Sequence, residues 1–441
     1  MFRHAARFAA LACAVLTPYS ASAEDWPQWL GPKRDGVWNE SGVATKFPAG
    51  GPKILWRQKV SHGYSGPAVS GDKVFVTDYL TTGAAPEPMP QTRDKLQGKE
   101  RILCFNAKTG EPLWKHEYDC AYEVSYPNGP RCTPTVDGDR VYTLGAEGNL
   151  VCLNVADGQV VWSKDLKKAY SAPTPLWGFS GHPLVDGNKL ICLVGGEGSV
   201  AVAFDKATGK ELWKALSAPE PGYAPPTIIT SGGKRQVVIW HSKAVNSLDP
   251  ETGAVYWTQP LEPSYGMAIA APIQVGDQLF ATAYQETAAL FKLASNEPAA
   301  SVVWKGDRDT AIYCANSTPI IDEGVVYGVD ARKGDLRAVS LKDGKVLWSK
   351  FMATADDRRA AHGTAFLAKN GDHYFLLCET GDLVIAKLTP ESYTELARAK
   401  LVEPTSSAFG RPVVWSCPAY AHKCIFARND EEIVCASLAA E

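Results

Sequence analysis

Residues 101–114 read RILCFNAKTGEPLW, and four later stretches of the chain repeat this pattern. The repeats are NLVCLNVADGQVVW at 149–162, VAVAFDKATGKELW at 200–213, AVNSLDPETGAVYW at 244–257 and DLRAVSLKDGKVLW at 335–348. Each has an alternating apolar run, a Thr-Gly or Asp-Gly turn and a short run ending in Trp. Alternation predicts a half-buried strand, and the glycine supplies the left-handed residue of a tight turn. Each stretch is therefore predicted to be a β-hairpin.

A second hairpin precedes each of these units, as in TPTVDGDRVYTL from 133 and TPIIDEGVVYGVD from 318. Each unit thus has four antiparallel strands, A to D, with a Trp on strand D. The Trp positions are Trp56, Trp114, Trp162, Trp213, Trp257, Trp304 and Trp348. The next unit lacks the Trp, and Leu396 falls near its place. Repeats of this length and composition predict the blades of a β-propeller.

The two ends of the chain complement each other. Residues 412–438 contain strands A, B and C without a D strand, whereas residues 53–60 contain a lone D-type strand with Trp56. Joining them gives an eighth blade and removes the free sheet edges. We therefore predict an all-β, eight-bladed propeller of four-stranded antiparallel blades, whose last blade is closed by the N-terminal strand. The propeller domain spans residues 24–441, with 24–51 as an N-terminal extension packed on it.

The repeated Trp has a physical reason. Neighbouring blades are twisted sheets whose faces diverge outward, so the gap between them widens with radius. A large flat ring fills that gap, and its N–H requires one acceptor. We expect each Trp ring to dock on the C–D turn of the next blade.

The first 23 residues have the order of a secretory leader. Arg3 and Arg7 precede a short apolar run at 8–16, and Ala21-Ser22-Ala23 is a small-x-small cleavage pattern. We predict a signal peptide cut after Ala23 and a periplasmic or secreted protein, the alternative being a frayed N-terminal helix. Its removal leaves 43 basic and 48 acidic residues without a basic cluster. The sequence therefore indicates no nucleic-acid partner and no membrane span, and we expect a monomer.

Ten cysteines follow the leader. Cys104, Cys152 and Cys435 occupy one repeat position, which is typical of a small buried core residue. The pairs Cys120–Cys132 and Cys417–Cys424 are close enough in sequence to form disulfides. The sequence does not decide whether either pair is oxidised.

Function is expected on one face of the propeller. The A–B and C–D turns share a face and are short, whereas the B–C loops and D-to-A crossovers share the other and vary. The largest loop, at 80–99, is predicted to be a surface loop. Residues just before each innermost strand should ring the central funnel as a candidate ligand pocket; the alternative is a water-filled channel without a ligand. These residues are His62, Tyr64, Arg131, His182, Tyr223, Asn316, His362 and Trp415.

The Ala-x-x-Gly-x-x-x-Trp pattern and the strand spacing resemble the pyrroloquinoline-quinone-like (PQQ-like) repeat. The opening DWPQWLGPKRDGV at 25–37 is similar to that of exported bacterial PQQ-like propeller proteins. Two better-known groups share this fold. The quinoprotein alcohol dehydrogenases bind PQQ and Ca²⁺, and the scaffold propeller of the outer-membrane β-barrel assembly machinery binds no cofactor. Fold alone does not choose between them.

The resemblance to the dehydrogenases implies an adjacent Cys-Cys pair, a cofactor Arg, carboxylate and Asn ligands for Ca²⁺, and a catalytic Asp. Arg131 stands at the start of an inner strand, as the family's cofactor Arg does, Asn316 is a candidate ligand, and Glu197 matches the carboxylate loosely. The chain has no Cys-Cys dipeptide and no Asp in a comparable funnel position. We therefore predict a non-catalytic binding or scaffold propeller without cofactor or metal, which recognises a protein or a glycan. The alternative is a PQQ- and Ca²⁺-dependent oxidoreductase acting on an alcohol or sugar.

Overall fold

The computed structural model describes residues 24–83, 89–351, 354 and 358–440. The predicted leader, residues 1–23, lies outside the described residues. Nearly all regular structure in the described chain is β-strand. Within these ranges no helix has the length and apolar character of a membrane span.

Eight four-stranded antiparallel sheets surround a central channel, and we number them as blades 1 to 8 with strands A to D from the centre outward. Blade 1 comprises Ala68–Ser70, Lys73–Thr81, Gly98–Asn106 and Pro112–Asp119, and blade 2 comprises Thr135–Asp137, Arg140–Leu144, Asn149–Asn154 and Val160–Asp165. Blade 3 comprises Leu184–Asp186, Lys189–Leu193, Ala201–Asp205 and Glu211–Ala215. Blade 4 comprises Thr227–Ser231, Lys234–Trp240, Ala244–Leu248 and Val255–Pro260. Blade 5 comprises Ile273–Val275, Gln278–Ala283, Thr287–Leu293 and Ala300–Lys305, and blade 6 comprises Ile320–Asp322, Val325–Asp330, Asp335–Ser340 and Val346–Lys350. Blade 7 comprises Ala365–Asn370, His373–Cys378, Asp382–Leu388 and Tyr393–Lys400. Blade 8 comprises Ala419–Ala421, Cys424–Arg428, Glu432–Ser437 and Ile54–Lys59. The predicted eight-bladed architecture is confirmed.

A few short elements lie in the connections between the strands. Two strand pairs form small separate sheets, Asp94–Leu96 with Tyr122–Val124 and Ser406–Ala408 with Arg411–Val413. The helical elements are an α-helical turn at Leu166–Tyr170 and a 3₁₀ turn at Ser264–Gly266. The strand Asp94–Leu96 lies in the long 80–99 loop, so part of that loop is regular structure.

Blade 8 is built from both ends of the chain, as predicted. Strand Ile54–Lys59 pairs antiparallel with Glu432–Ser437, and Trp56 stands opposite Cys435. The predicted closure of the ring by the N-terminal strand is therefore confirmed.

Burial decreases from the middle of each blade to its outer edge. Strand B of blade 3, Lys189–Leu193, is buried at every position, whereas strand D of blade 2, Val160–Asp165, has an exposed residue at alternate places. Inner strands lie between two neighbouring blades, and the outer strand is solvated along its edge. The three cysteines that share a repeat position are buried on strand C. Their cross-strand neighbours are Trp114, Trp162 and Trp56 for Cys104, Cys152 and Cys435 respectively.

Six of the repeated tryptophans donate their indole N–H to a carbonyl oxygen in the C–D turn of the next blade. These bonds are Trp56 to Ala107, Trp114 to Val155, Trp162 to Lys206, Trp213 to Pro250, Trp304 to Leu341 and Trp348 to Thr389, at 2.8–3.0 Å. The turn glycine lies against the ring: a Cβ on Gly253 would stand 2.7 Å from Trp213. Five of these six rings face such a glycine, whereas the turn that Trp348 contacts, residues 389–392, has none.

Two blades depart from this arrangement. Trp257 donates to Gln236 Oε1 within its own blade and not to the next C–D turn, ASNEPAA at 294–300. In blade 7 the register places Ala397, opposite Ile385, at the position that Trp occupies elsewhere. Leu396, predicted to lie near this place, is the adjacent residue, and in a strand a step of one residue turns the side chain to the other face; Leu396 is 38% exposed.

The N-terminal segment crosses the face that carries the A–B turns. Its backbone bonds to the ends of A strands in blades 1, 2 and 7: Trp26 N–H to Val69 O, Val136 N–H to Pro27 O, and Trp38 N–H to Lys369 O. Trp26 and Trp38 are buried against blades 7 and 8. The segment therefore covers the central channel at this face.

The described chain contains ten cysteines, and none of them forms a disulfide. Cys120 and Cys132 lie in different apolar clusters, and Cys132 faces Phe179 O. Cys417 contacts the Thr133 hydroxyl, whereas Cys424 contacts His422 O. Neither sequence pair forms a disulfide in this structure.

Candidate functional site

The central channel contains a cavity of about 320 Å³. All eight D-to-A crossovers contribute to its wall. Seven of the eight residues predicted from the sequence line it: Tyr64, Arg131, His182, Tyr223, Asn316, His362 and Trp415. The cavity therefore collects side chains from every blade of the ring.

The eighth predicted residue, His62, lies outside this cavity. Its Nδ1 is 3.6 Å from Asp430 Oδ2, in the seam between blades 8 and 1. The nearby Asp430 carboxylate raises the pKa of His62 against the opposing effect of burial. The Gly63 N–H also donates to Asp430, at 3.1 Å. His62 is thus placed to link the closing blade to blade 1.

The floor of the cavity comes from the N-terminal segment. Trp29 and Leu30 line it from the A–B turn face, and the Trp29 ring stacks on His182 with 4.9 Å between centroids. Arg34 anchors this segment by donating to the carbonyl oxygens of His182 and Pro183 at 3.1 and 3.0 Å. The cavity therefore opens toward the loop face and is closed at the other.

Trp177, from the blade 2–3 crossover, extends across the funnel. It packs on one side against the group containing Tyr126 and Trp415, and on the other against Met267 and Tyr284. Its ring also meets Tyr223 edge-on at 5.6 Å. Trp177 therefore narrows the opening of the cavity at the loop face.

Aromatic rings form a continuous wall beside Trp177. Tyr126 lies 5.9 Å from Trp415 and 6.3 Å from Phe409, and Phe409 stacks on His362 at 4.9 Å. His362 in turn lies 4.3 Å from Tyr284. These distances are in the range of favourable aromatic pairs.

Sequence reasoning missed several of these rings because it considered only residues directly before each inner strand. Tyr126, Trp177 and Phe409 stand earlier in their crossovers, and Trp29 reaches the channel from the other face. A signal was present, since aromatic residues in segments rich in Pro, Gly and Ser, such as TPLWGFSG at 174–181, have no strand to pack in.

Arg131 is held by the chain itself. Its guanidinium donates to the carbonyl oxygens of Ser125, Tyr126 and Gly129, and it lies over the Tyr64 ring at 5.2 Å. Because it makes three hydrogen bonds to carbonyl oxygens and one aromatic contact, Arg131 mainly stabilises the crossover between blades 1 and 2.

The two cavity histidines are neutral near pH 7. Burial, reinforced by Arg34, holds the pKa of His182 well below its ordinary value, and burial together with Arg411 lowers the pKa of His362 to about 4. His182 Nδ1 accepts the Thr133 N–H at 2.9 Å, which places the proton of the neutral ring on Nε2. His182 is therefore a fixed hydrogen-bond donor in the cavity wall.

Among the described residues, no carboxylate lines the cavity. Glu379 lies behind the wall and accepts from Arg411 at 2.9 Å and from the Trp415 indole at 3.2 Å. Glu197, which the sequence matched loosely to a calcium ligand, is exposed and outside the cavity lining. No cluster of three or more acidic, Cys or His side chains suited to a metal occurs in the described ranges.

Backbone strain is concentrated here. Fifteen non-glycine residues of the described chain have positive φ, and seven of them line this cavity. The seven are Leu30, Gln91, Tyr126, Tyr265, Gln285, His362 and Phe409. A left-handed backbone is unfavourable for bulky side chains, and such strain is often found at binding sites.

The sequence matches the profile of the family described as outer membrane protein assembly factor BamB, over residues 98–350 and 301–440. The protein of that name from Yersinia pestis is 23% identical over 304 residues, which cover 66% of this chain and 72% of the relative. The crystal structure of BamB from Moraxella catarrhalis gives a TM-score of 0.56 at 15% identity, covering 87% of this chain and 97% of that one. A quinohemoprotein alcohol dehydrogenase from Comamonas testosteroni gives 0.60 at 13% identity, covering 95% and 81%. These structural likenesses show the propeller fold alone. Because the family profile covers well over half of its length, this chain belongs to the outer membrane protein assembly factor BamB family.

Proposed function

We propose that this chain is a non-catalytic scaffold propeller that binds a protein partner through its loop face. The observation that carries the proposal is the strained aromatic rim of the cavity. Tyr265 and Phe409 have φ of 58° and 52°, and they are 55% and 42% exposed. Large aromatic rings that have an unfavourable backbone conformation and remain exposed to water are typical of a binding surface.

The surroundings of these rings favour a protein partner. Met89 is 57% exposed, and its neighbours Pro90 and Gln91 line the cavity beside Tyr265. Aromatic residues and Met are enriched in protein interfaces. The Yersinia pestis relative is named as an outer membrane protein assembly factor, so we infer that the partner is a component or a client of such assembly.

The proposed location follows from the leader predicted at 1–23. We place the mature protein in the periplasm or outside the cell, as a monomer. A glycan is the second class of ligand proposed for this face. The polar groups inside the cavity, rather than the exposed rings of its rim, are the features that favour a glycan.

Site-specific photo-crosslinking in the producing cell tests the protein partner. A photoreactive phenylalanine at position 265 or 409 is expected to give a discrete crosslinked protein, whereas the same residue in place of Lys342, an exposed residue of a C–D turn on the opposite face, should not. The crosslinked protein is identified by mass spectrometry. If all three positions give the same pattern, the loop face is not the binding surface.

The oxidoreductase alternative requires groups that this cavity does not provide. Ca²⁺ prefers carboxylate and carbonyl oxygens, and no carboxylate lines the described cavity. Asn316 is present, but Arg131 is already bonded to three carbonyl oxygens. The donor set therefore does not fit a PQQ–Ca²⁺ pair.

A titration with PQQ and Ca²⁺, followed by quinone absorbance and a dye-linked assay with alcohols and sugars, separates the two functions. We expect neither saturable binding nor dye reduction. Micromolar binding accompanied by dye reduction would establish the oxidoreductase and remove the scaffold proposal.

A further inference from the structure

The cavity is suited to an uncharged ligand. Arg131 is the one charged side chain in the lining of the described cavity, and its guanidinium is bonded to three backbone carbonyls. His182 and His362 are neutral because their pKa values are lowered. The cavity has no carboxylate to pair with a cationic ligand and no available cation to pair with an anionic one. Burying a charged ligand in it would therefore be unfavourable.

The cavity also offers neutral polar groups without partners. The His362 ring and the hydroxyls of Ser180 and Ser317 make no hydrogen bond to any described residue. The Asn316 amide makes one long bond, Nδ2 to His362 O at 3.4 Å, and its Oδ1 accepts none within the described chain. His182 Nε2 carries a proton with no acceptor in the same ranges.

These free groups argue against an apolar occupant. An aliphatic or phenyl side chain would fill the space between the rings, but it would leave the donors and acceptors of the cavity without hydrogen-bond partners. Each unsatisfied polar group is unfavourable by about 1–3 kcal/mol. The occupant must therefore offer apolar faces to the rings and hydrogen-bonding groups around its edge.

We propose that the cavity binds a neutral carbohydrate, with one or two sugar rings between the aromatic residues. The C–H faces of a sugar ring pack on Trp177 and the Tyr126–Phe409 wall, and its equatorial hydroxyls reach His182, Asn316 and His362. The volume of about 320 Å³ is at the lower end of the range for small-molecule sites.

The closed floor limits how a carbohydrate enters. Because Trp29 covers the channel at the A–B turn face, a polysaccharide cannot thread through it. The site takes a free mono- or disaccharide, or the terminal ring of a longer glycan. The two sources share the same chemistry.

Titration of the purified protein with sugars tests the proposal, using Trp fluorescence and calorimetry. The probes are glucose, galactose, mannose, N-acetylglucosamine and their disaccharides, with glucuronate and glucosamine as charged counterparts and p-cresol as an apolar aromatic probe. We expect at least one neutral sugar to bind, its charged counterpart to bind at least tenfold more weakly, and binding to be constant between pH 5.5 and 8. Comparing the free disaccharide with a polysaccharide that ends in the same ring, before and after enzymatic removal of that ring, identifies the source.

Two variants link binding to the cavity. Asn316→Ala and Phe409→Ala are each expected to weaken sugar binding about tenfold, the effect of one lost hydrogen bond or one lost ring contact. Lys342→Ala is the control on the opposite face and should bind as the wild type does. Saturation by p-cresol without any sugar, the absence of sugar binding at ~10 mM, or equal affinity in all three variants overturns the proposal. None of these measurements involves a protein partner, so their outcome is separate from that of the scaffold function.

Discussion

The indole N–H of Trp56 donates to the carbonyl oxygen of Ala107 at 2.9 Å, which ties the last blade to the first. Trp56 belongs to the N-terminal strand that completes blade 8, and Ala107 to the C–D turn of blade 1. The same bond is made at five other seams. Ring closure therefore uses the same contact as the rest of the propeller, and no special device is needed where the two chain ends meet.

Removing one of these rings should be strongly destabilising. Trp213 is 6% exposed and donates to Pro250 O at 3.0 Å. Trp213→Ala is expected to lower the free energy of unfolding by about 3–5 kcal/mol, as for other buried aromatic truncations. The neighbouring Leu212 is 44% exposed and provides the control, since Leu212→Ala should change stability by less than about 0.5 kcal/mol. Urea unfolding of both variants gives the comparison, and equal losses would show that the seam does not depend on the ring.

The turn glycine that faces Trp213 should be coupled to it. Gly253→Ala would place a Cβ 2.7 Å from the ring at φ +73°, whereas Gly276→Ala, at φ +56°, meets nothing within 4 Å. Both variants bear the left-handed penalty of roughly 1–2 kcal/mol, and the variant at position 253 should lose more. In a Trp213→Ala background that extra loss should disappear, and a double-mutant cycle on the free energy of unfolding measures it. An unchanged loss at 253 would place its cause in the backbone.

The architecture could be predicted because it is encoded locally and repeatedly. The strand alternation, the turn glycine and the Trp recur at fixed spacing, so each blade supports the interpretation of the others. In blade 7, where this support failed, the position was located only to within one residue, at Leu396. With no Trp to fix the register of blade 7, the extra residue of the β-bulge beside Ile385 could not be counted from the pattern.

The cavity was predictable only in part, for a different reason. Tyr64, Arg131 and His362 stand near the start of inner strands, whose direction fixes their place. Trp177 and Trp29 reach the cavity through irregular segments of the chain, and their positions depend on contacts distant in sequence, such as Trp29 with His182. No periodicity in the sequence encodes such contacts.

Arg131 is expected to be a structural residue. Its guanidinium bridges the carbonyl oxygens of Ser125, Tyr126 and Gly129 through two separate nitrogens, which the single ammonium nitrogen of a lysine cannot replace. Arg131→Ala and Arg131→Lys should both lower Tm, with a loss of about 2–4 kcal/mol for alanine because charge-assisted bonds are lost together. Thermal unfolding and sugar titration are measured on the same samples. A Tm equal to that of the wild type with weakened binding would instead assign Arg131 to the ligand.

His362 should make the protein sensitive to acid. Its pKa is lowered from 6.5 to about 4 in the folded chain, so between these values the unfolded chain binds a proton that the folded chain does not. Stability is then fully present above pH 6.5 and falls as the pH drops toward 4, by about 3 kcal/mol for this group. His362→Phe keeps a ring against Phe409 and removes the titration. The difference in unfolding free energy between wild type and variant should therefore shift by this amount from pH 7 to pH 4.

His62 should act in the opposite direction. The nearby Asp430 carboxylate raises the pKa of His62 in the folded chain, so the folded protein holds the proton more tightly than the unfolded chain does. The resulting stabilisation is fully present below the unfolded pKa of about 6.5 and is lost as the pH rises through the folded value. His62→Gln should remove it, so the stability lost by this variant should be larger at pH 5.5 than at pH 8.5. His62 stands in the seam between blades 8 and 1, so its loss of charge should loosen strand Ile54–Lys59. In the wild type, amide hydrogen exchange in this strand should therefore rise with pH more steeply than the intrinsic exchange rate does. In the variant it should rise only as steeply as the intrinsic rate. An equal stability loss at both pH values would show that the His62–Asp430 contact carries no charge.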